Sequence, residues 1–173
     1  MRFLAASAAL PALLALLVPL APAPAAGADS TRLQWPLRPG IPVLTRAFDA
    51  PTPNWTAGHR GVDLAGSPGQ PVYAAGGGTV VHAGMLAGRP VVSITHPGGL
   101  RTSYEPVEAV VVPGQSVDTS TPLGRLATGH PGCPAQACLH WGAMWGPAAR
   151  AHYVDPVGLL ASTPIRLKPL TPN

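Results

Sequence analysis

The chain has 173 residues, a formal net charge of +4, 46% hydrophobic residues and 23 prolines. A surplus this small excludes binding to nucleic acid through bulk charge and allows only loose attraction to an anionic surface. The prolines argue against a helical protein, while the length suffices for one domain with a real core.

In chain order, Arg2 precedes an uncharged apolar run from Phe3 to Leu20, and small residues follow at Ala26 and Ala28. This pattern predicts a cleaved signal peptide over residues 1–28 and a secreted, cell-envelope protein. Residues 29–58 read as an extended, Pro-rich lead-in, with Trp35-Pro36-Leu37, Ile41-Pro42-Val43 and a turn-rich stretch around Pro51, Pro53 and Asn54. From His59 onward, short β-type runs alternate with Gly and Pro punctuation. Pro71–Ala74 and Thr79–His82 flank Gly76-Gly77-Gly78, which is a turn and no phosphate loop, because neither a helix pattern nor a Lys follows. Pro90–Thr95 and Leu100–Tyr104 flank a hairpin turn, His96-Pro97-Gly98-Gly99. Val107–Val112 and Leu139–Met144 are further strands, the last a candidate central one, and Asp155–Leu160 offers at most one helical turn. The prediction is an all-β fold, a compact barrel or sandwich.

The chemistry-bearing residues are few. His59 and Asp63 lie four apart, and His140 follows much later on the predicted central strand. Two imidazole nitrogens and one carboxylate oxygen, with a fourth position left for water, make up a catalytic zinc site. The His-x-x-x-Asp spacing taken alone fits equally a pair of surface polar residues beside a turn. Trp35, Trp55, Trp141 and Trp145 are expected in core and groove packing, and His82, His96 and His152 in strands or turns. Cys133 and Cys138 are the two cysteines, and a close pair in an exported chain favours a disulfide.

Several segments add context to these residues. His59-Arg60-Gly61-Val62-Asp63-Leu64-Ala65 is followed by Gly69-Gln70-Pro71-Val72-Tyr73-Ala74-Ala75 and Gly78-Thr79-Val80-Val81. Gly114-Gln115-Ser116-Val117, Pro122-Leu123-Gly124, Leu139-His140-Trp141-Gly142 and Tyr153-Val154-Asp155-Pro156 follow in order. Over about residues 32–162 this set resembles the LytM/lysostaphin-type zinc metallopeptidases. The resemblance implies a duplicated hybrid motif, a β barrel-sandwich with a groove across an antiparallel sheet. It also implies a peptidase-like domain over 59–162, a C-terminal tail over 163–173, and peptidoglycan peptide stems or cross-links as substrate. A carrier-type hybrid domain is the weaker alternative, because neither the leader nor the ligand triad suits it.

Carried over by position, His59, Asp63 and His140 match the family's zinc ligands. Its two catalytic histidines are replaced: Cys138 stands at the first position of the H-x-H strand and Pro106 at the histidine of the Y-x-H segment. General acid–base groups contribute about 10²–10⁴-fold, so the double replacement predicts a weak or inactive endopeptidase. Such a domain would bind wall peptides, a cell-wall amidase or another wall protein. The alternative is an active zinc endopeptidase with another base. His130, ten residues before His140, is the candidate, weighed against a plain surface-loop histidine. Glu105, one residue off the required position, is expected to be turned away by strand alternation. For Cys138 two states stay open: a Cys133–Cys138 disulfide pinning the strand of His140, as in similar secreted proteins, or a thiolate completing a closed His59/Asp63/Cys138/His140 site.

Overall fold

The computed structural model describes residues 32–147 and 150–161. The leader, the start of the lead-in, residue 162 and the tail 163–173 lie outside the described residues. Eleven strands are present: β1 Leu44–Arg46, β2 Gly61–Gly66, β3 Pro71–Tyr73, β4 Gly78–Leu86, β5 Arg89–Thr95, β6 Leu100–Glu105, β7 Val107–Ala109, β8 Ser116–Val117, β9 Pro122–Leu126, β10 Ala137–Trp145 and β11 His152–Val154. Asp155 caps a 3-10 turn over Pro156–Leu159, its side chain accepting from the Val157 amide. The fold is all-β, as the sequence predicts.

Every strand pairing is antiparallel. The larger sheet runs β1-β2-β10-β6-β5-β4-β8, and β11 extends the β2 edge of β10. The smaller sheet is β3-β9-β7; β7 lies over β5 and β9 over β10. The result is a sandwich, and the sheets do not close into a barrel. Pro71–Tyr73 and the strand after the triple glycine therefore belong to different sheets: the glycine turn is a crossover between layers. The β4–β5 hairpin closes through Ala87 and Gly88, both at positive φ, 51° and 81°, as a two-residue turn matched to strand twist requires.

Alternation sorts the faces. Val62 and Leu64 of β2, Tyr104 of β6, and Leu139 and Trp141 of β10 enter one core with Val72, Val107, Leu123 and Leu126 of the small sheet. Asp63 and His140 point to the opposite face. Residues of the Pro-rich lead-in join the same core: Leu33 and Leu37 are 1% and 2% exposed, and β1 pairs with β2. Trp35 packs on Trp141 at 6.0 Å between ring centres, and Trp145 lies partly buried against the core. Trp55 departs from the expected packing and is 85% exposed, because its turn-rich stretch has no sheet above it.

A buried polar chain ties the glycine crossover to the large sheet. His96 Nδ1 meets the Gly77 carbonyl at 2.8 Å, and Nε2 meets Thr102 Oγ1 at 2.7 Å. A carbonyl only accepts, so Nδ1 carries the hydrogen and neutral His96 receives the Thr102 hydroxyl hydrogen at Nε2. Thr102 in turn accepts from Tyr104 Oη at 2.9 Å, and Tyr104 accepts from the Ala75 amide at 2.9 Å. Burial pushes the Tyr104 phenol up to about 12. Burial also lowers the His96 pKa, against the raising effect of its bond to Gly77.

The folded-state pKa of His96 thus lies below the ~6.5 of the unfolded chain. Between the two values the unfolded chain binds the extra proton, so stability falls as pH drops below about 6.5. Urea midpoints measured at neutral and mildly acidic pH should fall with acid for the native sequence, and the fall should be smaller for His96→Gln. Equal pH dependence in both proteins would contradict this.

Candidate metal centre and its cleft

The centre is assembled by strand pairing. His59 precedes β2 and is held by a two-way backbone bridge to Asp49, its amide donating at 2.7 Å and its carbonyl accepting at 2.9 Å. Asp63, the third residue of β2, is the register partner of His140 in β10, and directly opposed residues share a face. His59 Nε2 lies 2.9 Å from Asp63 Oδ1 and 3.0 Å from His140 Nδ1, and His140 Nδ1 lies 2.9 Å from Asp63 Oδ1. Both His59 and Asp63 are buried, at 5% and 4% exposure.

The donor set fits a metal cation. His59 Nδ1 donates to the Ala47 carbonyl at 2.7 Å, so neutral His59 presents a lone pair at Nε2. That lone pair faces a carboxylate oxygen and a second imidazole nitrogen, and the ligand atoms of His59, Asp63 and His140 all lie within 4.8 Å of one another. Such a cluster of acceptors holds together only with protons or a metal cation among them. Two nitrogens and one oxygen are ligands suited to zinc. Burial raises the Asp63 pKa, but the bond from His140 and the charges of His130, His140 and His59 outweigh it and hold the carboxyl below its usual range.

His140 needs space that only glycine leaves. A Cβ on Gly61 would stand 2.5 Å from the Trp141 carbonyl oxygen and 2.8 Å from His140 Cε1 and Nε2. A Cβ on Gly142 would meet the Ser103 hydroxyl at 2.8 Å, which can rotate away, and the Arg60 carbonyl oxygen at a milder 3.2 Å.

Cys133 and Cys138 form a disulfide, with a Cα–Cα distance of 5.6 Å. The thiolate alternative is therefore absent. Cys138 is fully buried, and the loop leading to β10 is tied down by the bridge and by the Cys133 amide donating to the His130 carbonyl at 3.3 Å. This places His130 at the centre and not on the surface: its side chain is 9% exposed, with Nε2 3.3 Å from Asp63 Oδ1. Its ring stacks on that of His140, 6.1 Å between centres and 20° between planes. His130 Nδ1 donates to the Pro131 carbonyl at 3.0 Å, so Nε2 is the nitrogen turned toward Asp63.

Two other positions behave unlike a simple reading of alternation. Pro106 is buried and makes no part of the cleft lining. Glu105, expected to turn away, is the register partner of His140 across β6 and β10 and lines the cleft on the same face. Tyr104, paired with Trp141, takes the core face, so its neighbour must take the other. The Glu105 carboxylate is ion-paired with Arg89 Nε at 3.0 Å. The cleft has two parts. One, of about 300 Å³, is lined by Arg46, Arg60, Arg89, Glu105 and the three histidines His59, His130 and His140. The other, of about 490 Å³, continues beyond His140 past Val81, Leu86, Val91 and Met144.

A His/Asp/His donor set on the open face of an antiparallel sheet, backed by a small second sheet, defines a metallopeptidase-type domain. The pattern of peptidase family M23 matches residues 57–156, and the chain belongs to that family of zinc peptidases. It is 72% identical over 146 residues to the protein Rv2891 of Mycobacterium tuberculosis, a match covering 84% of this chain and 58% of Rv2891. The chain thus spans somewhat over half the length of that relative. Csd3 of Helicobacter pylori has the same fold, with a TM-score of 0.60 and 23% identity over 80% of this chain and 37% of Csd3. A zinc-containing peptidase from Vibrio cholerae aligns with a TM-score of 0.55 and 25% identity, over 75% of this chain and 40% of that one.

Gly61→Ala should lower stability by about 1–3 kcal/mol through overpacking and weaken zinc uptake, read by competition with a chromophoric chelator. Gly142→Ala should do much less of both; equal effects would contradict the role given to Gly61. Replacing both cysteines by alanine should remove about 2 kcal/mol, the chain-entropy value for so short a loop. It should also open His130 to modification by diethyl pyrocarbonate, followed by peptide mass spectrometry. A His130 that stays protected would show that the bridge does not hold it.

Proposed function

We propose that this chain is an exported zinc endopeptidase of peptidoglycan stem or cross-link peptides, in which His130 takes over the proton handling of the replaced family histidines. The observation that carries this reading is His130 Nε2 at 3.3 Å from Asp63 Oδ1, held by the disulfide loop beside the donor set. His59, Asp63 and His140 would hold the zinc. Bound there, it would act as a Lewis acid that polarises the scissile carbonyl and lowers the pKa of water.

The remaining chemistry falls to side chains. His130, with Nδ1 engaged by Pro131, offers Nε2 to take a proton from the attacking water and return it to the leaving amine. Asp63, 3.3 Å from His130 Nε2, stabilises positive charge that develops on that ring. The cleft beyond His140 has room for a short extended peptide, its lining mixing Val81, Leu86, Val91 and Met144 with Ser93, Arg101 and Ser103. Export is supported by the leader pattern and agrees with a disulfide beside the centre.

The rival reading is a wall-binding or amidase-binding domain that no longer cuts. Its support is Cys138, locked in a disulfide, and Pro106, which has no titratable group. The two readings separate on one assay, release of free amino groups from purified sacculi. The native sequence should show zinc-dependent release. His140→Ala should lose both the metal and the activity. His130→Ala should lose about 10²–10⁴-fold in kcat while zinc stoichiometry stays at that of the native protein. No release by the zinc-loaded native chain would favour the binding domain, and full activity in His130→Ala would remove His130 from the mechanism.

A further inference from the structure

The charge of the cleft is at odds with its contents. Beside a centre built for a dication stand Arg46, Arg60 and Arg89, with Glu105 as the one carboxylate in the lining besides the donor set. Arg101 lines the other part of the cleft, and of the three beside the centre two are engaged. Arg60 donates to the Asn54 carbonyl and, at 2.7 Å, to that of Thr56, and it lies over the Tyr153 ring at 5.7 Å. Arg89 is paired with Glu105. Arg46 makes no hydrogen bond or ion pair among the described residues.

Arg46 faces the centre because of a local irregularity. In the β1–β2 pairing Leu44 partners Leu64, and Arg46 partners Asp63, so two steps along β1 match one step along β2. In a regular ladder Arg46 would oppose Val62, which enters the core. The bulge at Thr45 re-aims it onto the face of Asp63, and Thr45 Oγ1 secures the bulge by donating to the Asp63 carbonyl at 3.1 Å. Arg46 is exposed at the rim of the cleft, and an unpaired guanidinium beside a metal site is a ready partner for an anion. The other part of the cleft mixes the apolar Val81, Leu86 and Val91 with the polar Ser93, Arg101 and Ser103, so it suits a peptide with both kinds of group.

We infer that Arg46 is a specificity-determining residue that binds a free carboxylate of the peptide substrate, on the β1 side of the scissile bond. The inference names the substrate class of the endopeptidase proposed above and rests on that reading only for which bond is cut; the binding step does not require turnover. Guanidinium and carboxylate form paired, charge-assisted hydrogen bonds, whereas a carboxamide in the same place offers one acceptor and no charge. Zinc beyond the carboxylate would strengthen the preference.

The test uses the full chain with its disulfide intact, zinc removed by chelator, and fluorescein-labelled peptides read by anisotropy. The probes are Ala-Glu-Ala-Ala amide, Ala-Gln-Ala-Ala free acid, and the neutral Ala-Gln-Ala-Ala amide. At least one acid probe should bind about tenfold or more tightly than the neutral peptide, the usual scale for a hydrogen bond to a charged group; the two acids tell a side-chain from a terminal carboxylate. Arg46→Ala should abolish the difference, Arg46→Lys should keep part of it, and Arg125→Ala, on the other sheet, should leave it unchanged. Equal affinity for all three probes, or an undiminished preference in Arg46→Ala, would overturn the inference. With zinc restored, equal kcat/KM for all three would overturn it while leaving the endopeptidase reading intact. A carboxylate preference in a chain that cuts none of them would support Arg46 and count against the endopeptidase.

Discussion

The pairing of β2 with β10 is the constraint on which the rest depends. Asp63 opposes His140 in that ladder, and a shift of one residue would turn one of them into the core. The register is held because Val62 and Leu64 on one strand and Leu139 and Trp141 on the other are all buried in the same core. Core packing thus sets the geometry of the polar face. The same ladder leaves little room around His140, so Gly61 is required where a backbone carbonyl and an imidazole both crowd the site.

In the proposed mechanism Cys138 occupies a strand position that offers no base, so the base comes from elsewhere. A side chain on β10 is positioned by the sheet, whereas one in a loop needs its own restraint. The Cys133–Cys138 bridge supplies that restraint, anchoring the segment just after His130, whose ring lies beside the carboxylate of Asp63. Cys138 is therefore the anchor for the segment that carries another imidazole. The arrangement joins stability to site geometry, since loosening the loop frees both.

The electrostatics follow from local backbone detail more than from composition. A chain of net charge +4 is only mildly basic, yet Arg46, Arg60 and Arg89 gather in one cleft. Each arrives by a different route: a bulge in β1, a loop tied to Asn54 and Thr56, and the first residue after a two-residue turn. Buried groups elsewhere, such as the His96–Thr102–Tyr104 chain, hold the connections between the layers.

The all-β class, the central place of Leu139–Met144 and the set His59, Asp63 and His140 were legible in the residues, because alternating strands, Gly/Pro punctuation and ligand types are local signals. The family resemblance was legible for the same reason, being carried by short words in a fixed order. The sequence could not say that Leu33 and Leu37 complete the core, since their partners lie far along the chain. Nor could it place Glu105 on the cleft face or turn Arg46 toward Asp63: both depend on cross-strand register and on a bulge, and neither has a local signal. His130 looked like any loop histidine until the disulfide closed beneath it. Residue types and their order along the chain determined which chemistry is available; pairing register, one bulge and one cross-link decided which of those groups meet.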